Sequence, residues 1–368
     1  MDVVLLWGVI AIFCAVFQSF GIWKYGLACG FMITTTLLAI HYDFGNDYWS
    51  YYDWFEESLY TPLPNTIATF LELSRDPGWD LLNIIFGRIF GENGFFIMVS
   101  ILSIIECICY YTFIKKCVPT SWYWFAMTLY ILNNHFFILT FSMMRQSLVM
   151  ALLLLCFMWI QDKKIIRSFI IILLLSTIHN SVLLCLPLVF LPLFPFNNQK
   201  IWAIVLLTLL FIFIIASSIL EPILSRFADL SEDFNRYIET YTDDDNNMTF
   251  GLGYILRLLP FFYLLYGLYT NQFSKEYIPI LIIWSLSIIL IPFGTIIPMF
   301  GRLLFYFELA GLAALPKIIN IAKTIPVKCV LALSILLLIV IALYESFYKP
   351  NSVYYDYYLN FYTIFEVI

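Results

Sequence analysis

Three arginines, Arg145, Arg257 and Arg302, stand a few residues inside apolar runs of this 368-residue chain. A charge there is costly and marks a functional position by default. The guanidinium is a planar fork that grips two oxygens of a phosphate or carboxylate at once. Few other groups offer proton chemistry. His41, Asp43 and Asp47 share one aromatic loop, His41-Tyr-Asp-Phe-Gly-Asn-Asp-Tyr-Trp-Ser-Tyr-Tyr. Carboxylates beside Tyr48 and its neighbouring rings fit a carbohydrate site, where rings stack on sugar faces and carboxylates accept from hydroxyls. An interfacial aromatic belt explains the rings but not the paired acids. His179 lies in Thr177-Ile-His-Asn-Ser, on the same membrane face as Arg145. A lone histidine near an apolar run is more often structural than catalytic. Its company with Arg145 raises its standing.

Two further features have bland readings. Asp76-Pro-Gly-Trp79 opens a short amphipathic helix to Phe90, and Asp76 is expected to cap it through the free N–H groups. Glu106, near the middle of an apolar run, is expected to be a helix–helix hydrogen-bond partner. No carboxylate cluster has metal-ligand spacing. The eight cysteines are isolated in apolar sequence or lack a CxxC spacing, so they read as small buried hydrophobes. P-loop, GxGxxG, GxSxG and HExxH motifs are missing, so nothing supports a nucleotide cofactor or zinc peptidase chemistry.

The elements that must position these residues are membrane helices. The chain is 62% hydrophobic and 12% charged, with mean hydropathy +0.90. A soluble domain cannot bury so much apolar surface. The net charge of −6 also lacks the basic stripe that nucleic acid requires. At roughly 20 residues per crossing, the apolar runs predict an all-α polytopic protein of about 12 transmembrane helices. The runs include Gly94–Ile114, Trp122–Leu139, Met143–Ile160, Gly253–Tyr269, Ile278–Pro298 and Leu303–Ile318. Residues 166–194 read as two short spans meeting at His179 and Asn180. The chain reads as one membrane domain, residues 1–368. Its polar parts are a loop with an interfacial helix (41–93), an acidic loop (221–252) and a Tyr-rich tail (345–368).

Lysines fall in alternate connections, which the positive-inside rule makes cytoplasmic. The three polar parts then face outward. Nearly all arginines are outside as well, against the topology bias. Ordinary pairing with loop carboxylates accounts equally well for Arg75, Arg226 and Arg236. It accounts less well for Arg145, Arg257 and Arg302, which sit at outer helix ends.

Several motifs in order resemble the EpsG family of exopolysaccharide polymerases, relatives of Wzy-type O-antigen and capsule polymerases. They are Gly45-Asn-Asp-Tyr-Trp-Ser-Tyr-Tyr, Asp76-Pro-Gly-Trp, Met144-Arg-Gln-Ser-Leu, Ile178-His-Asn-Ser and Gly301-Arg-Leu-Leu-Phe-Tyr-Phe. His41 stands where the family's pattern often carries an arginine. The resemblance implies a multi-pass protein of the bacterial inner membrane. It implies glycosyl transfer at the outer face, from undecaprenyl pyrophosphate to a lipid-linked repeat unit, with no cofactor or metal. Arg145, Arg257 and Arg302 would then stabilise the departing pyrophosphate, with His41, Tyr48 and Trp79 lining the substrate. Asp43, Asp47 or His179 would take the acceptor proton. Expected partners are the lipid-linked oligosaccharide, membrane lipids, a chain-length regulator and a flippase. An O-antigen ligase would use much the same arginines. A flippase for the same lipids would show paired repeats and midplane charges, which are sparse here.

Overall fold

The computed structural model describes residues 1–228, 251–294, 298–350, 352 and 354–366, without the side chains of 220–228, 298–300 and 302. Most of the acidic loop, including Arg236, therefore lies outside the described residues. The structure is 79% helical, so the all-α reading holds. Among the described residues, the strand content is one two-residue pair, β1 (His41–Tyr42) with β2 (Tyr362–Thr363), antiparallel with His41 opposite Thr363. Helices dominate because a backbone in hydrocarbon must satisfy its own N–H and C=O groups.

Among the described residues, seven helices are long and apolar enough to cross a membrane, where the sequence predicts about twelve. Local causes shorten the others. The expected run Trp122–Leu139 is helical only over Tyr123–Leu132 before a break. Asn133 turns extended there, and its side chain accepts from the His135 N–H. The run Ile278–Pro298 breaks at one residue between Ile278–Ile289 and Ile291–Gly294, yet Lys275–Gly294 as a whole remains one of the seven. Pro292, which has no N–H, falls just after that break. Residues 166–194 do form two segments. One is the helix Ile165–Leu175 and the other a 3₁₀ helix, Asn180–Leu193, of 14 residues. A 3₁₀ helix rises about 2.0 Å per residue, so this one covers roughly 28 Å, close to a hydrocarbon core.

The chain forms two compact units, Met1–Val189 with Ile339–Ile368, and Phe190–Leu338. In the first, α1 (Asp2–Ser19) and α2 (Gly26–Ile40) pair closely. The polar loop folds into α3 (Tyr48–Ser58), α4 (Ile67–Leu71) and α5 (Pro77–Phe90). Then follow α6 (Gly94–Cys117), α7 (Tyr123–Leu132), α8 (Met144–Gln161) and α9 (Ile165–Leu175). Tyr51, Phe55, Trp79, Phe95, Leu102 and Leu148 form a core among α3, α5, α6 and α8. Glu106 on α6 is buried, and its Oε1 accepts from the Ser147 hydroxyl on α8 at 3.2 Å. That is the expected helix–helix bond.

The second unit holds α10 (Gln199–Ala228) and α11 (Leu252–Tyr269), with short helices between Ile278 and Asn320. The expected acidic loop thus begins as helix, through Ala228. The Gln199 side chain ties α10 to the Phe273 backbone, donating to its carbonyl at 2.6 Å. Lys317 sits over the Tyr277 ring, 3.1 Å from its centre.

Small residues permit the tightest helix approach. A Cβ on Gly26 would stand 1.9 Å from the Cys14 carbonyl oxygen, whereas one on Gly253 would meet nothing within 4 Å. Gly26→Ala should therefore destabilise the protein by about 1–3 kcal/mol, and Gly253→Ala should be neutral or slightly stabilising. Thermal unfolding in detergent checks this; equal melting temperatures for the two variants would refute the close packing.

Candidate functional site

The site begins with three helix starts that meet at Asp76. Pro77 opens α5, where its fixed φ suits a first turn and its missing N–H costs nothing. Gly78 lets α5 approach the corner after α9. Its N–H donates to the Thr177 carbonyl at 2.7 Å, and a Cβ there would lie 2.3 Å from the Thr177 hydroxyl. The Asp-Pro-Gly order thus has a separate reason for each residue.

Asp76 occupies the N-cap position, but its side chain makes no capping bond. This corrects the expectation of a cap. The carboxylate reaches outward instead. Oδ2 accepts from Arg145 Nη1 at 2.6 Å, and Oδ1 accepts from the Asn180 N–H at 3.1 Å. His179 Nδ1 stands 3.9 Å from Oδ2, too long for a hydrogen bond and close enough for an ion pair when protonated. Arg145 lies in the first turn of α8, and Asn180 opens the 3₁₀ helix. All three helix starts present positive dipole ends, which favour an anion and disfavour the arginine. Burial raises the Asp76 pKa. The His179 and Asn180 partners and the Arg145 charge outweigh it and hold the carboxyl below the usual aspartate range.

Arg145 is also braced by rings. Its Cζ is 4.6 Å from the centre of the Trp54 ring and 5.7 Å from that of Tyr51. Its Nε donates to the Tyr51 hydroxyl at 3.5 Å, the long limit. Trp54 is fixed in turn, donating to Asp80 Oδ1 at 2.8 Å. Among the described residues, the remaining side-chain N–H groups of Arg145 meet no further acceptor and can serve a ligand.

The structure thus joins Arg145 and His179 through Asp76. Asp47 is half-buried at the start of α3, accepting from the Asn46 amide at 3.0 Å. Burial raises the Tyr51 hydroxyl pKa; Arg145 opposes that shift, and the Asp47 charge adds to it. Tyr51 therefore lies within electrostatic reach of both. Asp43 is exposed and accepts instead from Trp49 Nε1 at 2.6 Å. His41, Tyr48 and Trp79 are buried beneath the loop. His41 Nδ1 bonds the Leu38 carbonyl at 2.6 Å, and burial pushes its pKa down to about 4. It is neutral at pH 7 and packs edge-on to Tyr48 and Phe141. Arg257 belongs to the second unit, half-buried on α11, with no ion-pair partner among the described residues. Arg302 lies on the helix Pro298–Glu308 of that unit, its side chain outside the described set.

The family model described as EpsG matches residues 24–362, which contain every one of these positions. The chain belongs to the EpsG family. Its members are polysaccharide polymerase-type membrane proteins. No curated protein and no solved structure matches the chain. Within this EpsG-family chain, sequence reasoning missed Asp76, Tyr51 and Trp54 as site residues. For Asp76, the signal was a carboxylate followed by both Pro and Gly, a turn built for close approach.

Removing the Asp76 charge should leave Arg145 unpaired at a positive helix end. Asp76→Asn is expected to cost about 2 kcal/mol, less than a fully buried pair because Arg145 is partly exposed. The sign with pH follows from the lowered pKa. The stabilisation is complete above the unfolded aspartate value, near pH 4, and is lost as pH falls through the lower folded value. Melting curves between pH 7 and pH 3 should show a smaller acid-dependent loss for Asp76→Asn than for wild type. Identical pH dependence would mean that Asp76 is not held in this pair.

Proposed function

We propose that this protein is a polysaccharide polymerase of the bacterial inner membrane, acting at the outer face. It transfers a glycan from undecaprenyl pyrophosphate to a lipid-linked repeat unit. The observation that carries the reading is the arginine–aspartate–histidine cluster at three converging helix starts, in a chain of the EpsG family. The departing pyrophosphate needs positive charge that is already in place. Arg145 and the helix starts supply it. Arg257 and Arg302, in the second unit, are also proposed as phosphate-binding residues.

The acceptor hydroxyl must lose a proton as the new bond to C1 forms. His179 is proposed as the base, its Nδ1 side held toward Asp76 so that Nε2 is free for the hydroxyl. The acceptor oxygen bonds C1, its proton passes to His179, and the C1–O electron pair leaves with the pyrophosphate. The pairing with Asp76 supports His179 over Asp43, whose carboxylate is engaged by Trp49. Asp47 flanks Tyr51 on the acceptor side of this scheme.

Reconstitution with a synthetic lipid-linked repeat unit tests the reading. Arg145→Lys should lose most polymer, at least about ten-fold, because lysine keeps the charge and loses the fork. Exposed Arg88→Lys is the control and should make wild-type amounts. Wild-type polymer from Arg145→Lys would remove the phosphate-binding role. A product carrying a single transfer to a non-repeating acceptor would make the protein a ligase. Transfer is proposed to proceed without a divalent cation, since fixed arginines carry the charge. Activity that vanishes with EDTA and returns with magnesium would contradict this.

A further inference from the structure

Helix α3 has two faces. Tyr48, Tyr51, Phe55 and Ser58 point inward, and Tyr51 and Trp54 brace Arg145. The opposite side carries Trp49, Tyr52, Asp53 and Glu56, one to two turns apart, with Tyr60 just beyond the helix end. Trp49 is 43% exposed and Tyr60 89% exposed, and both acids are exposed.

The Trp49 indole is held in place although it is exposed. Its Nε1 donates to Asp43, and Tyr42, Tyr48 and Tyr52 meet it at steep ring angles with centres 5.6–5.7 Å away. Asp43 itself adopts φ 47, the left-handed region that aspartate enters more readily than most residues, and this sets its carboxylate beside Trp49. An indole that served only as a membrane-interface anchor would need no such fixing.

We propose that this face of α3 is a subsite for the glycan chain, away from the bond being made. It rests on the polymerase reading and extends it. The occupant is a neutral, hydroxyl-rich sugar chain. The fixed indole face stacks on the C–H face of a pyranose, and Asp53 and Glu56 accept from its hydroxyls. The acids among the rings disfavour an anionic lipid headgroup. One helix carries both faces, so this one lies a helix diameter, roughly 10–12 Å, from the side that braces Arg145. A chain held here stays near the reacting end between transfers, so its local concentration is high and elongation continues.

The test uses the full-length protein with the lipid-linked repeat unit. Trp49→Ala should consume the unit but shift the product to shorter chains, to about half the modal length or less, with Trp49→Phe in between. Trp7→Ala, an exposed indole on α1, is the control and should not shift length. An unchanged length distribution for Trp49→Ala overturns the subsite. Complete loss of transfer at normal protein level also overturns it, since it would put Trp49 at the reacting bond.

A second measurement separates this from failure of the polymerase reading. The probe is oligosaccharide released by mild acid from the lipid-linked glycans of the producing cells, titrated against protein in detergent by saturation-transfer NMR. Trp49→Ala should weaken binding about ten-fold, and Trp7→Ala should not. Equal binding by Trp49→Ala and wild type overturns the subsite even if polymer is made. Trp49-dependent binding by a protein that makes no polymer supports the subsite and removes the polymerase reading.

Discussion

A single carboxylate joins three chain segments that would otherwise repel one another. The starts of α5, α8 and the 3₁₀ helix each present a partial positive charge. Arg145 adds a full charge at one of them. Without an anion at the centre, these ends could not share a corner at the edge of an apolar bundle. Asp76 answers two of the three directly, through the Arg145 guanidinium and the Asn180 N–H, and opens the third as its N-cap residue. The features that hold Asp76 are also those that attract a phosphate. Structure and binding therefore draw on one electrostatic field, and the resting protein keeps that field partly neutralised.

The packing below the corner keeps this arrangement stiff. In α8, which carries Arg145, 72% of the residues are buried, against 22% in α1, so α8 is an inner helix and α1 a peripheral one. Arg145 thus sits on the better-fixed of the two, and Glu106 bonds α8 again two residues further on, at Ser147. The Trp79 ring, fully buried under the corner, packs against Tyr51 with centres 5.5 Å apart. A guanidinium that must meet phosphate oxygens in a fixed geometry benefits from a mount of this kind.

Much of this was legible in the sequence, and the limits have physical causes. Hydropathy located α6, α8 and α11 almost to the residue, because each is one continuous long apolar helix. It ran past a helix end where a polar residue stops the helix inside an apolar run, as at Asn133. The partnership of Arg145 with His179 was visible from their places at helix ends. The role of Asp76 was not. Capping is a local bond, and the local rule predicts it, yet Arg145 and the Asn180 N–H won the carboxylate from far along the chain. Distant pairings of this kind leave no periodic trace. The same holds for β1 and β2, whose two-residue strands carry no alternation to read.

That last pairing explains why the loop before α3 has one shape. His41 and Tyr42 pair with Thr363 and Tyr362, and the Gly45 N–H donates to the Tyr357 carbonyl at 3.2 Å. Phe44 packs against Phe141, Tyr358 and Phe361, with ring centres 4.8–5.2 Å apart. The tail therefore fixes the segment that sets the start of α3, and α3 in turn sets Tyr51 and Trp54 against Arg145. The corner is assembled from residues near both ends of the sequence and from its middle. A shorter piece of the chain would carry the arginine without the helix that braces it. A family resemblance covering residues 24–362 is what such a site requires, because its parts have no meaning apart from one another.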